Sequence, residues 1–225
     1  MSGTLKLLTC NLWNGRARPE ALAEVIARLD PDVIVCQELS ARQADVVGRA
    51  LPHGQLDPRD DTCGMGVAAR WPVDVQRVAL PRRPARVARL EPRHWPHLAH
   101  AVEIVNVHFS APTELGRLAE RRAQVAELER HFAQQRVRRV VAGDYNSFPG
   151  MDAYDRMRAM LRDVVEEHAR DRGASPALTW GPTTSAPRLA RIDHLMTVGL
   201  SAHAVQAVRV QGSDHSALFV ELTLD

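Results

Sequence analysis

Ten residues from the C-terminus, Ser213-Asp214-His215 precedes the apolar run Ala217-Leu218-Phe219-Val220. Taken alone, an aspartate and a histidine at a strand edge are an ordinary polar turn. Their weight changes because other polar clusters also stand at the ends of apolar, strand-like runs: Asn11, Gln37-Glu38, Asn106 with His108, Asp144 with Asn146, and Asp193. Each offers a residue type that phosphate-ester hydrolysis uses. His215 is a candidate general base for water, because an imidazole titrates near neutrality. Asp193 is a candidate partner that fixes the His215 tautomer and stabilises the imidazolium. Glu38, helped by Asn11, Asp144 and Asp214, supplies oxygen donors, which select Mg²⁺ or Mn²⁺ over zinc. Such a cation would neutralise charge developing on phosphate. Water is the nucleophile in this scheme, so no serine or cysteine is required.

Residues two apart on a strand share a face, which pairs Asp144 with Asn146 and Asn106 with His108. His108 can donate to a phosphate oxygen. His194, next to Asp193, points to the opposite face and is left out. Every one of these residues has a plainer reading by itself. Glu38 fits a surface ion pair, Asp144-Tyr145-Asn146 fits an Asx-rich turn, and His108 fits a satisfied structural histidine.

The elements that must position these residues are legible from periodicity and punctuation. Leu5 to Leu12 reads as a buried strand running into the turn Trp13-Asn14-Gly15. Pro19 suits a first helical position, ahead of the stripe Ala21, Leu22, Val25, Ile26 and Leu29. Val33 to Cys36 is a β-branched run expected to be buried on both faces. Ser40 and Gln43 form a capping box for a helix to about Leu51. Strands are expected at Met65–Ala69, Val73–Leu80, Arg86–Leu90 and Ala99–Phe109. A long helix follows over about Thr113–Gln135, with Leu115, Leu118, Val125, Leu128 and Phe132 on its apolar side. Arg139–Ala142 is the next strand and Met151–Leu161 a short helix. Residues 170–188 read as a polar loop, and three strands close the chain at about Leu189–Val198, His203–Val210 and Ala217–Leu224. Strands in hairpin-like succession disfavour a purely parallel sheet and favour mixed sheets with helices outside.

The segment Pro81 to Pro96 carries prolines at 81, 84, 92 and 96, so it cannot be one continuous central strand. It also holds Arg82, Arg83, Arg86, Arg89 and Arg93 against Glu91 alone. A solvated edge is the default for such a run, and a surface that attracts a phosphate chain is the sharper reading.

Composition narrows the class. The 225 residues suit a single domain over 1–225, and 45% apolar content is ordinary for a real core. A net charge of +2 does not announce a nucleic-acid binder. Three cysteines, Cys10, Cys36 and Cys63, make neither a disulfide framework nor a zinc set. No run approaches a membrane span and the N-terminus shows no leader pattern, so a soluble, cytoplasmic protein is expected.

Taken in order, Thr9-Cys10-Asn11, Gln37-Glu38, Asn106-Val107-His108, Gly143-Asp144-Tyr145-Asn146, Arg191-Ile192-Asp193-His194 and Ser213-Asp214-His215 resemble the endonuclease/exonuclease/phosphatase superfamily, the DNase I-like fold. The likeness runs from residue 5 to 223, and Gly64-Met65-Gly66-Val67-Ala68 resembles a further strand of that family. It implies an α+β fold, a four-layer α/β/β/α sandwich of two packed mixed β-sheets flanked by helices. It implies a Mg²⁺- or Mn²⁺-dependent hydrolase of phosphoric ester bonds, with Asn11, Glu38 and Asp214 on the metal side. His108 and Asn146 would hold the scissile phosphate, Asp144 would orient the nucleophile or handle the leaving group, and Asp193 would orient His215. Some nuclease members add a tyrosine or arginine from mid-chain. Arg82, Arg86 and Arg89 are the candidates here, and the sequence does not choose among them. A nuclease is the leading reading, with Trp13, Trp95 and Trp180 as candidate base-stacking residues. A phosphatase or phosphodiesterase on inositol phosphates, phospholipid head groups or another small phosphoester is the alternative. A catalytically silent binding module ranks lowest, since every central residue is present.

Overall fold

The computed structural model describes residues 3–112, 115–135 and 137–224. Among them are five helices and two six-stranded sheets that face each other. The first sheet holds β1 (Thr4–Asn11), β2 (Val33–Gln37), β3 (His53–Asp57), β4 (Met65–Ala69), β11 (Leu200–Arg209) and β12 (Ser216–Leu224). Its order is β11-β12-β1-β2-β4-β3. The second holds β5 (Asp74–Val78), β6 (Ala85–Leu90), β7 (Val102–His108), β8 (Arg138–Asp144), the two-residue β9 (Arg162–Asp163) and β10 (Asp193–Val198), in the order β5-β6-β7-β8-β10-β9. Only β1–β2 and β7–β8 pair in parallel. Each of those pairs is joined by a crossover helix, α1 (Pro19–Leu29) or α3 (Leu115–Ala133), as parallel neighbours require.

Three apolar clusters build the layers. Leu7, Val35, Ile104, Val140, Val220 and Leu222 belong to the cluster between the sheets. Leu8, Cys36, Leu22 and Val47 join the first sheet to α1 and to α2 (Ala41–Ala50). Val105, Val141, Leu128 and Met157 join the second sheet to α3 and to α4 (Asp152–Met160). The result is the expected four-layer sandwich. A fifth helix, α5 (Val164–Asp171), inserts Val164 and Val165 into the cluster between the sheets. No described helix is long and apolar enough to cross a membrane.

The strand period explains where the polar residues go. Alternate residues face the opposite sheet. Along β1 that stripe reads Leu5, Leu7, Thr9, Asn11; along β2 it reads Val33, Val35, Gln37. Along β7 it reads Val102, Ile104, Asn106, His108, and along β8 Val140, Ala142, Asp144. Every stripe begins apolar and turns polar at the same rim. In β10, which runs antiparallel to β8, Asp193 is the first residue and pairs with Asp144. One rim therefore collects the ends of the four parallel-paired strands and the starts of their antiparallel neighbours β4, β6, β10 and β12.

Just inside that rim, buried amides tie the sheets together. Gln37 Nε2 donates to Asn106 Oδ1 at 2.7 Å, and Asn106 Nδ2 donates to the carbonyls of Cys36 and Gly66 at 2.9 Å each. Leaving such a group unpaired costs about 1–3 kcal/mol. Asn106 thus sets the spacing beneath the site and does not face the cleft.

The expected elements formed with end shifts of a few residues. Three differences have local causes. His53–Asp57 is an edge strand, whose half-exposed, polar sequence carries little strand signal. Residues 164–171 form α5, opened by the Asp163 carboxylate, which accepts from the N–H groups of Val165 and Glu166 at 3.1 and 3.0 Å. Leu118, assigned to the apolar side of α3, is 38% exposed, whereas Val125 and Leu128 are buried. Thr113 and the side chain of Leu115 lie outside the described residues.

Candidate active site

The rim brings together all eight sequence-derived site residues. His215 Nδ1 lies 2.8 Å from Asp193 Oδ2, the contact expected of a base and its orienting carboxylate. Nε2 is thereby left facing the cleft, 4.0 Å from Asp144 Oδ2 and 3.9 Å from Asp214 Oδ1. The loop holding His215 is fixed from several sides. Ser213 Oγ donates to Asn11 O at 2.8 Å and accepts from the His215 N–H at 3.0 Å. Arg188 donates to the carbonyls of Ser213 and His215 at 3.2 and 3.0 Å. Thr179 Oγ1 accepts from the N–H of Asp193 at 3.1 Å.

Asp144 is the hub. Its Oδ2 accepts from Asn11 Nδ2 at 2.9 Å and lies 3.5 Å from His108 Nε2. Glu38 Oε1 is 3.4 Å from Asn11 Nδ2 and 3.7 Å from His108 Nε2. The Asp144 and Asn146 side chains do share a side, but a turn rather than a strand pleat puts them there. Asn146 lies beyond β8 with φ 47°, and its N–H closes onto Asp144 Oδ1 at 2.8 Å. Glu38 likewise leaves β2 with φ 54°. A left-handed backbone at two non-glycine residues is costly and is held by its surroundings. In this conformation Asn146 Nδ2 donates to Phe109 O at 2.9 Å and to Asp144 Oδ2 at 3.2 Å. Asn11 turns its amide hydrogens to the carboxylates while its Oδ1 accepts from the Trp13 N–H at 3.0 Å.

Burial and charge tune these groups. Burial pushes Asp144 up to about 7, with the nearby carboxylates of Asp193 and Glu38 adding to the rise and the His215 charge opposing it. Burial also raises Glu38 and Asp214 above the usual carboxylate range. For His215 burial acts downward, but Asp193, Asp144 and Asp214 outweigh it and lift the imidazole to about 10. His108 is held well below the usual histidine range by burial and by the charge of Arg83, so it is neutral at pH 7. Four carboxylates thus crowd one rim. Asp214 Oδ1 is buried without a hydrogen-bond partner, while Oδ2 accepts from Trp180 Nε1 at 3.2 Å.

The donor set fits a hard divalent cation. It is made of carboxylate oxygens with an excess of negative charge; Asn11, expected on the metal side, instead has its Oδ1 held by the Trp13 N–H and reaches the carboxylates through Nδ2. Among the described residues no three His, Cys, Asp or Glu side chains form a ready-made metal cage. One or two carboxylates completed by waters and substrate phosphate are what Mg²⁺ ordinarily uses.

The cleft at this rim has a volume of about 660 Å³ and is lined by Glu38, His108, Asp144, Asn146, Asp214 and His215. Trp13, Arg16, Arg82, Arg83, Phe148 and Trp180 line it as well. The choice among the arginines is therefore made by geometry. Arg86 is bound to Asp57 at 2.7 Å and Arg89 is paired with Glu91, whereas Arg82 borders the cleft. Arg83, not among the sequence candidates for the phosphate site, is there too. Its guanidinium is buried, donates to Phe109 O at 3.3 Å and Thr62 Oγ1 at 3.1 Å, and keeps an unpartnered Nε. Its sequence signal is the Pro81–Pro84 bracket, which ties residues 82 and 83 into a turn. Of the candidate tryptophans, Trp95 is fully buried in the core, while Trp13 and Trp180 reach the cleft. His194 faces away, as expected, with Nε2 2.7 Å from Ser147 O.

Gly143, the residue before Asp144, has φ +142°, and a Cβ there would overlap the Val107 carbonyl on β7. Gly143→Ala is expected to cost about 2–3 kcal/mol in urea unfolding and to displace Asp144 and His108 together. Wild-type stability would contradict this close approach.

Two packed mixed sheets with a carboxylate- and imidazole-lined rim define the DNase I-like class of α/β domain. Residues 8–215 match the Endonuclease/Exonuclease/phosphatase family, and the chain belongs to it. Solved structures agree on the fold. An endonuclease/exonuclease/phosphatase family protein from Bacteroides thetaiotaomicron superposes with a TM-score of 0.78 at 15% identity, covering 100% of this chain and 99% of that one. The mannosyl-6-phosphatase of the same organism gives 0.74 at 15%, covering 97% and 99%. Humanized D. rerio TDP2 gives 0.73 at 15%, covering 97% and 98%. None of the curated proteins matches the chain. Members of the superfamily are hydrolases of phosphoester bonds, and this chain is a phosphoesterase of that superfamily.

Proposed function

We propose that the chain is a divalent-metal-dependent phosphodiesterase, with a nucleic acid strand as its leading substrate. The observation that carries this reading is the His215–Asp193 pair at 2.8 Å, whose free Nε2 faces Asp144 across the cleft. Asp193 holds Nδ1–H. The same carboxylates that lift His215 to about 10 keep it protonated while they are bare, and a cation held by Glu38 and Asp214 would offset that charge, so that Nε2, once deprotonated, takes the proton from an attacking water. Asp193 then stabilises the imidazolium. His108 donates Nε2–H to a phosphoryl oxygen, and Asn146 exchanges its Asp144 contact for another. Asp144, buried beside them, gives a proton to the departing oxygen. Glu38 and Asp214 would hold Mg²⁺ or Mn²⁺, with Asn11 keeping Glu38 and Asp144 in register. The cation, when bound, would neutralise charge on the phosphate.

Nucleic acid is favoured by the rim. Arg16 stacks on the Trp13 ring at 4.4 Å, and Arg82, Arg83 and Trp180 stand nearby. Cations over phosphates and flat rings under bases are what a single strand requires. A cavity of about 660 Å³ also accommodates a phosphorylated sugar, the chemistry named for the Bacteroides mannosyl-6-phosphatase.

Hydrolysis of bis-p-nitrophenyl phosphate should require Mg²⁺ or Mn²⁺. Glu38→Gln should raise the metal concentration for half-maximal rate by more than about tenfold. Metal-independent turnover would refute the cation's role. Side-by-side assay of single-stranded DNA, duplex DNA, RNA, sugar phosphates, inositol phosphates and a phospholipid tests the substrate class. Turnover confined to the small phosphoesters or the lipid would overturn the nucleic-acid reading.

A further inference from the structure

A second cavity of about 820 Å³ adjoins the first. Phe148 and Ala190 line both, so the two are continuous. Its walls include Leu178, Leu189 and Pro176, with Ser175, Glu166 and Arg170 among its polar residues. Among the described residues five large apolar side chains are exposed: Leu118, Phe148, Leu178, Leu189 and Val198. Phe148 at 50%, Leu178 at 46% and Leu189 at 62% all face this one groove. Scattered exposed apolar residues need no explanation, but a contiguous patch beside a reaction site does.

We propose that this groove is a nucleoside subsite, which takes the sugar and base attached to the scissile phosphate. The inference rests on the phosphodiesterase reading for the position of that phosphate. Three features select a nucleoside. The patch starts at the catalytic cleft, so its occupant is part of the same substrate. It combines an aromatic ring with aliphatic walls, which suits the two faces of a base, and bases stack on such surfaces without regard to sequence. It is bordered by Glu166, Ser175 and Arg170, which would meet the polar edge of a base and a following phosphate. Leu178 and Leu189 flank the Trp180–Ala190 bridge, where Trp180 also pairs with His215, so the groove and the base-carrying strand are one unit.

The test compares two esters with a common leaving group, thymidine 5′-(p-nitrophenyl phosphate) and methyl p-nitrophenyl phosphate. The wild type should prefer the thymidine ester in kcat/KM. Leu178→Ser/Leu189→Ser should reduce that preference about tenfold, the effect of losing part of an apolar pocket. Val198→Ser, exposed at a distance from the groove, should leave the preference unchanged. An unchanged preference in the double variant overturns the proposal, as does a stronger preference for a hexyl ester. Calorimetry with thymidine 3′,5′-bisphosphate reads the groove without turnover. Binding should weaken about tenfold in the double variant, and equal binding overturns the proposal. Weakened binding in a protein that hydrolyses neither ester would uphold the groove and refute the hydrolase reading instead.

Discussion

Replacing His215 by alanine should lower kcat on bis-p-nitrophenyl phosphate by about 10³-fold, the contribution typical of a positioned base. The imidazole is the group whose free nitrogen points into the cleft while its other nitrogen is held by a carboxylate. Alanine would also strand the Asp193 carboxylate, which is 2% exposed, so lost folding must be separated from lost catalysis. His215→Gln does this, because its amide can still donate to Asp193 but cannot accept a proton from water. It should be as inactive as the alanine variant while melting nearer to the wild type. Asp193→Asn should lower kcat by about 10²-fold, since an amide neither fixes the tautomer nor stabilises the imidazolium. Near-wild-type kcat in His215→Gln would refute the assignment of the base.

The largest stability loss is expected at Asp163, outside the site. This fully buried carboxylate caps α5 and accepts from Arg191 at 2.6 Å and the Tyr154 hydroxyl at 2.9 Å. His194 Nδ1 lies 3.6 Å away. Asp163→Ala would leave the Arg191 guanidinium buried without its anion. Breaking a buried pair from one side costs about 3–5 kcal/mol, equivalent to a Tm lower by about 10 °C at this chain length. Burial alone would raise the Asp163 pKa, but the neighbouring His194 ring and the Arg191 charge hold it well below the usual range. A depressed carboxylate stabilises the fold fully above its unfolded value near 4 and stops doing so as pH falls through its folded value. The stability gap between wild type and Asp163→Ala should therefore be constant from about pH 5 to 8 and narrow only below about pH 4. Urea titrations across that range check it. A gap already closing between pH 7 and 5 would contradict the pairing.

The same cluster shows why parts of the structure escape sequence reasoning. Asp163 lies between two short elements with no long apolar stripe, and its partner Arg191 is 28 residues away. Its role as cap and anion emerges only when β9 pairs with β10. Strand β3 gives no signal because an edge strand exposes its residues to water and need not alternate. Arg83 is hidden because charge in a proline-rich run signals solvent, and only the turn buries it against the Phe109 carbonyl.

What the sequence determined was the set of strand ends. A period of two places Asn11, His108 and Asp144 on the same stripes as the core residues Leu7, Ile104 and Val140, because side-chain direction along a strand is local geometry. Residue chemistry then marked a base, a carboxylate partner and oxygen donors for a hard cation. Tertiary structure decided which ends meet. Asn11 and Asp144 are 133 residues apart and touch at 2.9 Å only because two sheets pack face to face with their polar rims together. It also decided the groove. Phe148, Leu178 and Leu189 read individually as loop residues, and become one surface only when the loops after β8 and before β10 fold over the same rim.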